Sequence, residues 1–265
     1  MPHRRGFSRT TPASVLRGRS GESSLRATGK PSCSAASTAA SAESRDLTVS
    51  SGASKKFPAM RNATDLRQKV LQASLALIEE GGLDRLSMRE VARKSGVSHQ
   101  APYYYFGDRE AILAAIAGEG FAKLGHSFLR AVARAGSDPA KSLEAIGRAY
   151  VRFALRHPAY FQAMFRADAV SLDRYPDVRK REDEAFGKLV EEIGKAFADQ
   201  PSTVRLTISI ACWAMVHGLA TLILEGTLAR TVGVARARQR QVANEVIGTF
   251  TTLLIKDRRL GQGCE

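Results

Sequence analysis

Cysteine is scarce in this 265-residue chain, and Cys33, Cys212 and Cys264 stand far apart with no C-x-x-C pair among them. That excludes a disulfide-built secreted domain and a zinc ribbon. Signatures of catalysis are missing as well. His3, His99, His126, His157 and His217 form no H-x-x-x-H pair, and there is no G-x-S-x-G elbow, phosphate-cradling loop or close Cys–His–carboxylate group. No enzyme chemistry, metal or cofactor is expected. Strand-period alternation and internal repeats are absent, and no apolar h-region follows Arg4–Arg5, so no secretory signal is expected.

What the chain has in excess is basic charge: 40 Lys+Arg against 26 Asp+Glu, a formal +14. This makes a nucleic acid or another anionic surface an expected partner. Residues 1–60 hold ten basic and three acidic side chains, half of that net charge, in a Ser-, Ala-, Thr-, Gly- and Arg-rich stretch without apolar period. It cannot bury enough to offset its ordering entropy. Three readings stand: a disordered basic arm, an Arg- and Ser-rich transit peptide, or an extension upstream of a true start at Met60.

Beyond Met60 the period becomes helical. Leu66, Val70, Ala73 and Leu77 share one face of a first helix that stops at Gly81–Gly82. Ser87-Met88-Arg89-Glu90 reads as an S-x-x-E capping box opening a short second helix, which ends at Ser95–Gly96. Ser98 is the expected N-cap of a third helix, His99 to about Tyr105. Helix, glycine turn, helix is a helix-turn-helix. Asp108 caps a long fourth helix with the stripe Leu113, Ala117, Phe121, Leu124 and Phe128, and Asp138–Pro139 opens a fifth carrying Leu143, Ile146, Tyr150 and Phe153. Further helices are expected after His157–Pro158 and over 177–198, 202–224 and 236–256. The fold class is all-α.

Leu206–Leu224 contains no charged residue and is long enough for a membrane span. Thr207, Ser209, His217, Gly218 and Thr221 argue against one, and Leu206, Ile210, Trp213, Ala220 and Leu224 are expected to form one seam of a buried helix; no membrane partner is expected. Gly218 is expected to permit close helix approach.

Three of the six tyrosines are consecutive, Tyr103 to Tyr105, so they cannot all face one core, and at least one must offer its hydroxyl outward to a phosphate. Gln100 suits adenine N6/N7 and the Ala101 methyl suits thymine. From Arg61 to about Phe121, with L-S-M-R-E-V-A-R-K-S-G-V-S at 86–98 and Y-Y-Y-F-G-D-R-E at 103–110, the chain resembles the DNA-binding domain of the TetR family of bacterial transcriptional regulators. The resemblance places Ser87 and Arg89 near phosphate or base edges, Ser98, His99, Gln100, Ala101 and Tyr103 in the groove-facing helix, and Tyr104 and Arg109 on the flanking DNA backbone. Tyr105 stands where the family commonly has His, and Pro102 replaces a usual Leu or small residue. H-P-A-Y-F at 157–161 and W-A-M-V-H-G-L at 213–219 resemble a C-terminal subtype marked by Trp, His and Gly.

The expected organisation is therefore an extension over 1–60, a helix-turn-helix domain over 61–107, a helical ligand-binding and dimerisation domain over 108–258, and a tail over 259–265. The resemblance implies a cytoplasmic homodimer that binds a palindromic DNA operator, most often as a repressor, and responds to a small apolar effector. Tyr150, Phe153, Phe161, Met164, Phe165, Trp213 and His217 are the expected lining of its pocket, with a solid core as the bland alternative. The helix over 206–224 and Val242, Val246, Phe250 and Leu253 of the last helix are the expected dimer seam. The rival from another class is a helical small-molecule-binding enzyme or carrier whose helix-turn-helix is vestigial; a non-specific DNA-compacting protein stands third.

Overall fold

The computed structural model describes residues 58–166 and 171–256, all within the unit that spans 55–265. Expectations for the extension before Pro58 and for the tail lie outside the described residues. Among those described there are helices and no strand: α1 (Pro58–Gly81), α2 (Met88–Ser95), α3 (Ala101–Phe106), α4 (Arg109–Ala135), α5 (Pro139–Arg156), α6 (Pro158–Phe165), α7 (Pro176–Ala196), α8 (Ser202–Leu224), α9 (Thr227–Val232) and α10 (Gln239–Lys256). The fold is all-α, with an N-terminal helix-turn-helix followed by a larger helical domain.

Local chemistry sets the helix ends. The Ser87 hydroxyl accepts from the Glu90 amide at 3.2 Å, starting α2, but the Glu90 carboxylate turns to Arg93 at 2.7 Å. Only half of the expected capping box is therefore made. Gly96 closes α2 in the left-handed region at φ 67°, a conformation a side chain would penalise. Asp108 accepts from the Ala111 amide at 2.7 Å and Asp138 from the Ala140 amide at 2.9 Å, so both expected caps are in place.

Three boundaries differ from the pattern-based expectation. α1 starts at Pro58, so Met60 lies inside its first turn; the apolar stripe begins later, because the early turns of α1 carry the largely exposed Asp65, Arg67, Gln68 and Lys69. α3 starts at Ala101 rather than His99. Ser98 does not cap it with its side chain; the Ser98 carbonyl takes the Ala101 amide at 3.0 Å, and Ser98–Gln100 form a turn. The short α9 and a 3-10 turn at Arg236–Arg238 precede α10, where one helix was expected from Arg236.

α4 has 27 residues and at 1.5 Å per residue is about 40 Å long. Its buried stripe, Leu113, Ala117, Phe121, Leu124 and Phe128, packs it against α5, α6 and α7, while its first turns meet α1 and α3. Burying each of its Leu and Phe side chains contributes about 1.5–3 kcal/mol. One buried apolar cluster runs from Val70 in α1 to Leu254 in α10, with α5 touching α4, α7, α8 and α10. Close approach is enabled by Gly120, whose absent Cβ would stand 2.5 Å from Met164 Sδ, and by Gly147, whose Cβ would stand 3.0 Å from Ile247. Gly218 has open space around it, so the close packing expected there occurs at these two positions instead.

α8 is long and apolar enough to cross a membrane, and in this fold it packs on α5 and α7. Its buried side is Ile208, Ser209, Val216, Leu219, Ala220 and Ile223, whereas Leu206, Ile210, Trp213 and Leu222 are exposed. The single seam expected through Leu206, Ile210 and Trp213 is thus corrected: the inner contacts use a neighbouring face, leaving Leu206 and Ile210 on the outside and Trp213 at the edge, packed on its inner side.

Candidate DNA interface and effector pocket

The turn and first residues of α3 present Ser98, His99 and Gln100 to solvent, with Ala101 partly buried and Pro102 packed inward. Tyr103 and Tyr104 are 56% and 83% exposed, so two of the three consecutive hydroxyls face outward; the Tyr105 ring meets that of Tyr104 edge-on at 5.1 Å. Ser87 and Arg89 are exposed at the start of α2. These groups offer hydroxyl, amide, imidazole and guanidinium donors from one end of the molecule. Such donors suit base edges and phosphate.

Arg109 is placed differently from the other groups expected at DNA. Its Nε donates to the Leu86 carbonyl at 2.8 Å and its Nη2 to the Leu83 carbonyl at 2.7 Å. The guanidinium thus satisfies the carbonyls of the 3-10 turn that leads into α2, instead of standing free for the DNA backbone. Next to it, Glu110 accepts from the Ser171 amide at 3.0 Å and pairs with Arg174 just before α7. The first turn of α4, directly after the recognition helix, is therefore tied to a segment of the larger domain. Pattern alone assigns Glu110 only a first-turn role, because partners about sixty residues away leave no local trace.

Five of the seven residues expected to line a pocket come together. The Tyr150 hydroxyl lies 2.8 Å from His217 Nδ1, and the imidazole is enclosed by Phe165 at 4.8 Å, Phe161 at 5.3 Å and Trp213 at 5.9 Å between ring centroids. Phe128 stacks on Tyr150 at 6.4 Å and Phe186 meets Trp213 at 5.9 Å, two members not expected in this group, although the stripe of α4 marked Phe128 as core. The rings are packed against one another, and the group reaches the surface at Trp213, which is 36% exposed. Phe153 and Met164 do not join it. Phe153 packs on His157 at 5.2 Å, and Met164 fills the gap beside Gly120.

Burial pushes the Tyr150 phenol well above its ordinary value, against an opposing pull from the Trp213 indole, and burial lowers the His217 imidazole. His217 is therefore held neutral, able to accept from Tyr150 at Nδ1 with its proton on Nε2. Cys212, on α8 next to Trp213, is pushed up to about 11 by burial and is a thiol rather than a nucleophile at neutral pH.

Residues 70–116 match the family described as bacterial regulatory proteins, tetR family, and residues 143–244 match the tetracyclin repressor-like C-terminal domain. The chain is 29% identical over 144 residues to the HTH-type transcriptional repressor KstR of Mycolicibacterium smegmatis, covering 53% of this chain and 70% of that protein. A protein of unknown function from Rhodococcus sp. RHA1 has a similar solved structure, with TM-score 0.58, 30% identity, and 70% of this chain and 94% of that one covered. The TetR family regulator PfmR of Thermus thermophilus shares the fold at TM-score 0.53 and 21% identity, over 75% of this chain and 97% of its own. With the helix-turn-helix followed by its helical partner domain, these matches place the chain in the TetR family of DNA-binding transcriptional regulators, which are not enzymes.

Proposed function

We propose that the protein is a ligand-responsive repressor that binds a palindromic operator as a cytoplasmic homodimer. Ser87, Arg89, Ser98, His99, Gln100, Ala101, Tyr103 and Tyr104 are the residues that meet DNA, with Gln100 reading a base. The helix-turn-helix ends near residue 107 and the effector and dimerisation domain begins with α4. Trp213, His217 and Gly218 mark the C-terminal domain as the Trp-His-Gly subtype.

The observation that carries the response to a ligand is the Tyr150–His217 pair inside an otherwise apolar ring cluster that opens at Trp213. Such a site offers an apolar effector a ring-lined slot and a single polar handle. Entry requires Phe165 and Trp213 to yield. The ties from Glu110 to Ser171 and Arg174 then give a route from movement around α7 to the helix beside the DNA. An effector acts only through differential affinity for the two arrangements. KstR carries the word repressor in its name, and the exposed apolar faces of α8 and α10 support a four-helix seam between copies.

The test titrates DNA flanking the gene, and a scrambled duplex, with the full chain while a panel of apolar compounds is screened by Trp213 emission. The expected result is that one fragment outcompetes the scrambled duplex, and that a compound altering Trp213 emission releases it with matching affinity. Emission and DNA affinity that both ignore the whole panel would leave a solid core and defeat the effector reading.

A further inference from the structure

A cavity of about 610 Å³ lies between the last turns of α4 and the length of α5, on the side of α5 turned away from Tyr150. Six cations line it: Arg130 and Arg134 from α4, and Lys141, Arg148, Arg152 and Arg156 from α5. One carboxylate, Glu144, stands among them and is paired with Arg148. The lining side chains therefore carry a net +5, and Lys141 is in turn paired with Asp138 at 3.9 Å just outside the groove.

The arrangement contrasts with most of the cations of α7. On α7, Arg179, Lys180, Lys188 and Lys195 all have carboxylate partners on their own helix. Arg130, Arg134, Arg152 and Arg156 have none among the described residues. Arg130 and Arg134 are one turn apart, and so are Arg148, Arg152 and Arg156, giving two facing rows with a repeat of about 6 Å. Like charges at this spacing repel and disfavour the helix. Burial together with Lys123 and Arg156 also lowers the His157 imidazole at the end of the groove. Ala131, Ala145 and Ala149 keep the base of the groove shallow and apolar, and Phe153 closes it. A second cavity of about 250 Å³ shares Arg148 and Arg152 and adds Arg240 from α10.

We propose that this groove binds a small organic polyphosphate, its phosphate groups bridging the arginines of α4 and α5 and a compact apolar part resting on Ala145, Ala149 and Phe153. A guanidinium fork matches phosphate oxygens two at a time, and a charge of this size calls for more than one anionic group. The volume is that of a small-molecule site. It is distinct from the ring cluster, so it does not depend on the apolar effector. Because α4 runs unbroken from Arg109 beside the recognition helix to Arg134 in the groove, a bridging ligand fixes the far end of the element that supports α3.

The experiment measures binding of inorganic orthophosphate, pyrophosphate and tripolyphosphate to the full chain by calorimetry, alongside the double variant R134E/R152E and the variant Y150F. The expected result is one saturable site per chain, tightening from ortho- to tripolyphosphate, weakened by at least about tenfold in R134E/R152E and unchanged in Y150F. All these arginines are exposed, and thermal melting checks the variant's fold; R134Q/R152Q carries the same comparison should charge reversal disturb it. Equal tripolyphosphate affinity in wild type and R134E/R152E overturns the proposal, since the binder then lies outside this groove. It is also overturned if the variants lose affinity for random duplex DNA while keeping that for tripolyphosphate.

Discussion

The Tyr150 hydroxyl and His217 Nδ1, 2.8 Å apart, join α5 to α8 across 67 residues of sequence. This bond satisfies a phenol and an imidazole that would otherwise be polar groups inside a ring cluster, where an unmet donor costs more than a made bond contributes. The pair therefore holds the two helices in register while leaving Nε2 of His217 as the remaining polar point of the cluster.

Stability should fall as pH drops through the histidine range. Burial lowers His217, and burial with Lys123 and Arg156 lowers His157, while both imidazoles in the unfolded chain protonate near about 6.5. Below that value the unfolded state binds more protons than the folded one, so unfolding is favoured as acid is added and the loss continues down to the lowered folded values. Thermal melts from neutral pH to about pH 5 should show Tm declining, and His217→Gln should flatten part of the decline. An identical slope in that variant would mean that His217 takes up its proton as readily folded as unfolded.

Arg109→Ala should destabilise the DNA-binding end instead of flattening the salt dependence of DNA binding. Its two hydrogen bonds hold the Leu83 and Leu86 carbonyls, and losing a charged donor at partly buried acceptors costs about 1.5–3 kcal/mol. Denaturant unfolding measures that loss, and titrations at several salt concentrations measure the slope. A stable variant with a slope lowered by about one would return Arg109 to the DNA backbone.

Gln100→Ala should lose about 1–3 kcal/mol of discrimination between operator and scrambled DNA, whereas Tyr104→Phe should weaken both alike. Neither should change Tm, because both side chains are exposed. The ratio of the two DNA affinities decides it. A ratio untouched by Gln100→Ala removes that residue from base reading.

What the sequence made legible follows from how local each determinant is. The stripes of α4 and α5, the caps at Asp108 and Asp138 and the glycine stop at Gly96 are set within a few residues, and they are found as expected. The fate of Arg109 is set by carbonyls 23 and 26 residues away in a 3-10 turn, and side-chain pattern carries no sign of a carbonyl in need of a donor. The ring cluster was half legible for a related reason. Tyr150 and Phe153 share a stripe, but at about 100° per residue they diverge enough that Tyr150 meets His217 while Phe153 meets His157. An apolar stripe says that a face is covered, not by which neighbour, and α8 shows the consequence: its apolar residues serve an inner face and an outer one that sequence cannot separate.

That outer face yields the sharpest test of assembly. Ile210 on α8 and Leu253 on α10 are 49% and 63% exposed, and Val246 is 39% exposed, so no other described residue covers these apolar groups and a second copy meeting them would. Ile247 is 1% exposed and abuts Gly147 of α5, which places it in the protomer core and outside the seam. A charge at Ile247 should therefore prevent folding, since an unpaired buried carboxylate costs several kcal/mol. A charge at Leu253 or Ile210 should leave a folded chain that sediments as a monomer and binds a palindromic duplex weakly. Sedimentation velocity at micromolar protein, paired with thermal melting, separates the two effects. Wild-type protein that already sediments as a monomer would end the dimer reading, and Leu253→Glu and Ile210→Glu variants that remain dimers would put the seam elsewhere on the surface.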